Sequence, residues 1–386
     1  MKVLLDCSHL QTGGALQVGL ATLDNAARTP EHEWHVVLSG RLAAQFPPAR
    51  EKDFASLVRL PIRNHPLAKY WQIVRTLPEV EKRVRPDIVY VVLGPPKWRS
   101  RAPQLAGYAV PHLLYPETDA FAGRAGLTRE RIYLALFLMG VRHDLHQAQN
   151  LVVETETVRK RLEAVEGFPR SRVFVVRNSY SPQFEKALGR DGSSAPRDRF
   201  SVFVPSAYYH HKNLEIVPKV AAELRTLTDR PFEFVMTLPE SERGWHRIRD
   251  LARTLGVEAS IRNVGPVPHQ DIGARYRASD AVFLPTLLEC STAVYPESLA
   301  AGVPLVTSAI DFARELCREA ALYVDPHAPR EAAAALHRVM TDDVMRQRMI
   351  AAGREVLAMS YPTPEERWST LNACLQDVAV GRPSAS

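Results

Sequence analysis

One pattern constrains this chain more than any other: short apolar, β-branched runs alternate with stretches of helical spacing, and the alternation happens twice. The first series of runs covers residues 3–6, 35–39, 88–93, 104–110, 151–154 and 173–177, with helical spacing over 14–27 and 158–165. The second covers 201–205, 232–237, 260–264, 281–285, 305–308 and 321–325, separated by helical stretches at 214–227, 245–255 and 329–340. Strands that alternate with helices build parallel sheets covered on both faces. At 386 residues the chain exceeds what a single core supports. The two series therefore predict an α/β protein of two doubly wound domains facing a central cleft. Residues 179–199 are rich in Ser, Pro, Gly and charge without any period, which marks a hinge. The predicted layout is an N-terminal domain over 1–178, a linker over 179–199, a C-terminal domain over 200–360, and a last segment, 361–386, that crosses back to the N-terminal domain.

Composition narrows the class. Hydrophobic residues make up 46% and charged residues 24%, a globular balance that excludes a disordered chain. The net charge of +6 favours anionic partners, whether nucleotide phosphates, an acidic membrane surface or nucleic acid. No nucleic-acid recognition motif accompanies the charge, so that partner is set aside. Cys7, Cys290, Cys317 and Cys374 are scattered without paired spacing, which suits reduced thiols in a cytoplasmic protein. The apolar run after Met1 stops at Asp6 and reads as a first strand rather than a leader. No apolar stretch approaches the roughly 20 residues that span a bilayer, so the expectation is a soluble or peripheral protein.

Ligands of open α/β sheets sit beyond the carboxyl ends of the strands, so residues just after predicted strands are the candidates. After the run at 281–285, a loop carries Glu289 and Cys290, Ser291-Thr292 is placed to cap a helix, and Glu297 lies inside that helix. Pro296 fits the first turn, and Gly302 with Pro304 ends the helix. Backbone amides near Thr292, Ala293 and Val294 can hold a diphosphate, and the two glutamates can accept hydrogen bonds from sugar hydroxyls. On residue types alone, the same glutamates read more often as solvated surface charge. After the run at 201–205, Lys212 stands where a helix is predicted to open; taken alone it reads as a surface lysine, though its place against the helix dipole hints at a compensating anion. In the N-terminal half, Gly13-Gly14 follows the first strand, where small residues let backbone approach a phosphate or hydroxyl. His112 follows the run at 104–110 and reads either as a site residue or as a histidine packed in a loop. The segment 131–142 is apolar between arginines: either a core helix or a surface that meets lipid-linked acceptors.

The stretch Glu289-x7-Glu297, followed by Ser-Leu-Ala-Ala-Gly302-Val-Pro304, resembles the retaining glycosyltransferase family 4. Asn263-Val-Gly265, Tyr276-Arg-Ala-Ser-Asp280 and Asp311-Phe-Ala-Arg-Glu-Leu extend the likeness over most of 200–360. The resemblance implies the two-domain GT-B fold and transfer of sugar from a nucleotide-diphosphate donor to a glycan or lipid-linked acceptor, in a setting such as bacterial surface polysaccharide. It implies that Glu297 binds the donor ribose, that Glu289 touches the transferred sugar, and that Ser291, Thr292, Ala293 and Val294 meet sugar and diphosphate. Gly13, Gly14 and Gly265 join the donor site, Lys212 meets the leaving diphosphate, and His112 lies near the reacting sugar. It implies no cofactor and no metal, and the chain holds no Asp-x-Asp triplet of the metal-binding type. Two departures stand out. Cys290-Ser-Thr replaces the family's Gly-Phe-Gly, and Ala207 stands where the family carries an arginine, with His210 and His211 as possible substitutes. A nucleotide-sugar epimerase or hydrolase of the same fold, or a silent nucleotide-sugar binding protein, are the alternatives.

Overall fold

A computed structural model describes residues 1–11, 14–116, 129–180, 184 and 198–384. The chain divides into two compact units. One comprises Met1–Pro116, Gly126–Val176 and Trp368–Ser386; the other comprises Glu117–Ala125 and Arg177–Arg367.

The N-terminal unit is built on seven parallel strands: β1 (Lys2–Cys7), β2 (Glu33–Leu38), β3 (Ser56–Arg59), β4 (Ile88–Val91), β5 (Gln104–Gly107), β6 (Asn150–Val153) and β7 (Val173–Val175). Its helices are α1 (Gly14–Ala27), α2 (Gly40–Ala43), α3 (Pro66–Val84), α4 (Arg129–Leu145) and α5 (Glu156–Glu166). Strand order is β3-β2-β1-β4-β5-β6-β7. β1 and β4 are buried almost throughout, as strands covered on both faces must be. Two elements carry no clear signal in the sequence. β3 is a half-buried edge strand, so it lacks a continuous apolar run. α3 begins at Pro66 and contains Pro78, which masks its helical period.

The second unit carries β8 (Phe200–Val204), β9 (Phe232–Met236), β10 (Ile261–Asn263), β11 (Ala281–Leu284), β12 (Leu305–Ser308) and β13 (Ala321–Val324), in the order β10-β9-β8-β11-β12-β13. Around this parallel sheet lie α6 (Val217–Arg225), α7 (Arg243–Thr254), α8 (Ile272–Arg277), α9 (Val294–Ala300), α10 (Asp311–Cys317), α11 (Pro329–Thr341) and α12 (Asp343–Ser360). Both predicted doubly wound sheets are thus present. Most of the predicted hinge, 179–199, lies outside the described residues; within it, Phe184 is buried with its ring 5.6 Å from Tyr276.

The last helix, α13 (Pro364–Ala379), returns the chain to the first unit. Leu371, Leu375 and Val378 enter that unit's core. Trp368 donates its indole N–H to the Thr29 hydroxyl at 2.8 Å and packs its ring 5.9 Å from Trp34.

Candidate functional site

In the second unit the strand order reverses between β8 and β11, and such a switch point is where open parallel sheets bind ligands. Two loops meet there. The chain leaving β8 makes a tight 3-10 turn, His210–Lys212, and Asn213 follows in the left-handed conformation at φ 54°. The chain leaving β11 runs through Thr286 and Glu289. The loops are joined by backbone: Leu287 N donates to His211 O at 2.7 Å, and the Thr286 hydroxyl lies 3.1 Å from the same carbonyl. Across them the Lys212 ammonium donates to the Glu289 carboxylate, with the two side chains 15% and 10% exposed. The Thr286 hydroxyl sits 3.2 Å from the same carboxylate oxygen.

This geometry corrects the reading of Lys212. The sequence predicts a helix over 214–227 opening at this lysine, whereas the left-handed Asn213 breaks the path and a second tight turn, Leu214–Ile216, precedes α6. No helix dipole opposes Lys212. The anion that compensates it is Glu289. Of the two histidines beside it, His211 stacks on Tyr209 at 5.6 Å. One residue from Ala207, the Tyr208 hydroxyl receives a hydrogen bond from Arg247 of α7 at 2.8 Å. Arg247 is a cation that the sequence alone gives no reason to place near this loop.

Glu297 lies in α9 with 8% exposure. Burial pushes its carboxyl up to about 7, against the opposing effect of the neighbouring Tyr276 phenol. Tyr276 comes from α8, where its spacing marks only a core residue, so the pairing carries no sequence signal. The sequence predicts Ser291-Thr292 as a helix cap, but the N-cap position is Ala293 and has no side-chain cap bond. The Thr292 hydroxyl accepts from Val294 N at 3.3 Å, so that amide is already engaged, and the Ser291 hydroxyl has no partner among the described residues. Gly265 follows β10 at φ 74° with open space where a Cβ would stand, so backbone conformation, not crowding, requires glycine there. Gly302 at φ 67° ends α9.

In the first unit the order reverses between β1 and β4. Asp6, at the end of β1, is buried and accepts from Ser8 N at 2.8 Å. His9 follows, its Nε2 closed off from solvent without a hydrogen-bond partner among the described residues. Burial pushes the Asp6 carboxyl up and the His9 imidazole down. A Cβ on Gly94 would stand 2.6 Å from His9 Nε2, so glycine is what lets the chain after β4 pass this ring. Lys97, further along that chain, bonds the buried Asp144 of α4. Glu81 of α3 holds the following loop by accepting from Ser100 Oγ at 2.6 Å, Arg101 N at 2.7 Å and Ala102 N at 2.9 Å. Sequence order scatters these residues over more than a hundred positions; only the strand order brings them together.

His112 sits in a tight turn, Pro111–Leu113, beyond β5, and burial lowers its pKa. Its ring stands edge-on to Phe137 of α4 at 6.3 Å. Gly14 opens α1 with open space around it, and Gly13 lies outside the described residues. The segment 131–142 falls within α4, whose Ile132, Leu136, Phe137 and Met139 are 42–66% exposed, so its described part is a surface rather than a core helix. Among the described residues no helix is long and apolar enough to cross a membrane, and no cluster of His, Cys, Asp and Glu could hold a metal.

Two compact units, each built on a doubly wound parallel sheet, make this a two-domain α/β protein. Over residues 188–356 the chain matches the family described as Glycosyl transferases group 1. D-inositol 3-phosphate glycosyltransferase of Kineococcus radiotolerans is 25% identical over 270 residues, which is 64% of this chain and 62% of that relative's length. Among solved structures, sucrose-phosphate synthase from Thermosynechococcus elongatus superimposes with a TM-score of 0.72 at 13% identity, over 98% of this chain and 99% of that one. Anabaena HepE, solved in complex with UDP and glucose, gives 0.67 at 16% identity, over 98% and 100%. The fold is therefore GT-B.

Proposed function

We propose that this protein is a metal-independent, retaining glycosyltransferase that takes sugar from a nucleotide-diphosphate donor and passes it to a glycan or lipid-linked acceptor, in surface polysaccharide or related glycoconjugate synthesis. The observation that carries the reading is the Lys212–Glu289 pair at the β8/β11 switch point, with Glu297 buried on the helix that follows. The group 1 match over this segment and the spacing Glu289-x7-Glu297 support it.

The Lys212 ammonium is held by Glu289. A donor diphosphate competes for that ammonium, and the freed Glu289 carboxylate becomes available to sugar hydroxyls. Charge on the leaving diphosphate is greatest in the transition state, so Lys212 acts chiefly on the chemical step. Glu297, ionised, accepts from the ribose hydroxyls. His112 serves the acceptor side, its lowered pKa keeping the imidazole neutral at physiological pH.

Calorimetry with UDP, GDP and ADP, followed by product analysis with the matching sugar nucleotides and with or without acceptor, tests the reading. One nucleotide should bind, and sugar should move with its anomeric configuration kept. Hydrolysis or epimerisation without transfer would overturn it.

A further inference from the structure

The turn that carries Lys212 is held from three directions. On one side the His211 carbonyl takes the Leu287 amide of the β11 loop at 2.7 Å. On another, the Asn213 side chain donates to Pro326 O, beyond β13, at 2.7 Å. The third hold is a run of side chains. The Tyr208 hydroxyl donates to the Glu215 carboxylate, and Arg247 of α7 donates to the same hydroxyl at 2.8 Å. Tyr208 precedes the turn His210–Lys212 and Glu215 follows it, so their bond closes the loop at its base with Lys212 between the two ends.

The ring is fixed as well as the hydroxyl. A Cβ on Gly244, at the start of α7, would stand 2.2 Å from Tyr208 Cδ2 and Cε2, so only glycine there admits the tyrosine. The Arg247 guanidinium lies 5.4 Å from the ring centroid, within reach of the ring's electrostatic attraction. Burial, and the Glu215 carboxylate after it, raise the phenol's pKa, which keeps its proton in place to donate.

Such a hold matters because the lysine side chain is long and has many rotamers. Glu289 steadies the ammonium, but a diphosphate that competes for Lys212 removes that hold. The backbone of the turn then sets where the charge stands. A fixed charge stabilises a transition state best when it needs no rearrangement at the moment of reaction.

We propose that Tyr208 is a positioning residue for Lys212: its phenol, braced by Arg247 and bonded to Glu215, clasps the turn so that the ammonium keeps its place when a donor diphosphate draws it from Glu289. The inference deepens the proposed glycosyl transfer and rests on it for donor and turnover; the coupling of Tyr208 to Lys212 in the folded protein does not.

Tyr208→Phe keeps the ring beside Gly244 and removes only the hydroxyl. Denaturant melts of the full chain, for this variant, Lys212→Met and the two combined, read the coupling without any activity. Lys212→Met should lower the folding equilibrium constant by a factor at least about fivefold smaller once the hydroxyl is gone, because residues that act through one another are not additive. Kinetics supply the second readout. Tyr208→Phe should lower kcat about tenfold and leave donor affinity, by calorimetry, within about twofold. Glu215→Gln still accepts from the phenol and should keep kcat within about threefold of the wild type, whereas Glu215→Ala should match Tyr208→Phe. Arg247→Met should add nothing to Tyr208→Phe; a loss of donor affinity in that background would make Arg247 a ligand of the diphosphate and overturn its place in the clasp. The same Lys212→Met factor in both backgrounds, or wild-type kcat in Tyr208→Phe, would overturn the proposal. If the melts couple and the wild type turns over no sugar nucleotide, the clasp stands and the glycosyl-transfer reading falls.

Discussion

The two switch points are built alike and equipped differently. Each lies where a parallel sheet reverses its strand order, and each carries a lysine bonded to a carboxylate: Lys97 to Asp144 in the first unit, Lys212 to Glu289 in the second. In the second unit the pair spans two loops, one from each strand flanking the reversal. In the first unit the pair ties the chain after β4 to the helix α4, which with α3 walls a cavity. The same ionic contact therefore joins two loops in one unit and a loop to a helix in the other.

The sharpest way to break the comparison is to remove the cation on each side. Lys212→Ala should lower turnover by about 10²–10³, with a smaller loss of donor affinity, read by steady-state kinetics beside calorimetry. Glu289, left buried without its partner, should also lower the melting temperature. Lys212→Met with Glu289→Gln should recover the stability and not the turnover, which separates the two roles. Lys97→Ala should strand the buried Asp144 carboxylate and cost roughly 3 kcal/mol of stability in denaturant melts. It should nonetheless leave nucleoside diphosphate affinity intact; a parallel loss of that affinity would erase the distinction between the two lysines.

Glu297 sharpens the comparison through pH. Its carboxyl is raised to about 7 in the folded protein, above the ordinary value of 4.5. The stability it contributes is fully present below that ordinary value and is lost as pH rises through 7, because the buried group must then ionise. Glu297→Gln removes this slope, so the variant should match the wild type at pH 4.5 and exceed it by roughly 2–3 kcal/mol at pH 8.5. The same substitution should weaken nucleoside diphosphate about tenfold at the higher pH. Wild-type donor affinity should rise with pH through 7, accompanied by proton release measurable in buffers of different ionisation enthalpy. The smallest effect expected is none: activity should persist in excess EDTA, and loss restored by magnesium or manganese would contradict metal-free transfer.

Both sheets are legible in the sequence because fully buried strands must be continuous apolar runs, as β1 and β11 are. β3 is not, since an edge strand needs no such run. In the second unit the candidate residues Glu289 and Glu297 belong to one contiguous motif, so the amino-acid order alone associates them. It cannot reveal the Lys212–Glu289 contact, which depends on β8 and β11 being neighbours despite β9 and β10 lying between them in sequence. The cavity of the first unit is wholly hidden at that level. Lys97 reads as one basic residue among several, and Asp144 and His9 carry no pattern at all; they converge only through strand order. The segment 131–142 reads as core or surface from its composition, and its exposure decides between the two.

The return of α13 has a consequence for biosynthesis. Leu371, Leu375 and Val378 complete the core around Trp34 and Leu38 in the first unit, so the half of the chain that leaves the ribosome earliest is the last to be finished. A nascent chain arrested before Trp368 already holds nearly every residue of the second unit, while the first waits with an uncovered apolar seam. Domains synthesised early usually gain by folding early. Here the first-made half depends instead on the final helix, and a stop codon placed just ahead of it should expose the N-terminal unit, rather than the C-terminal one, to quality-control proteases.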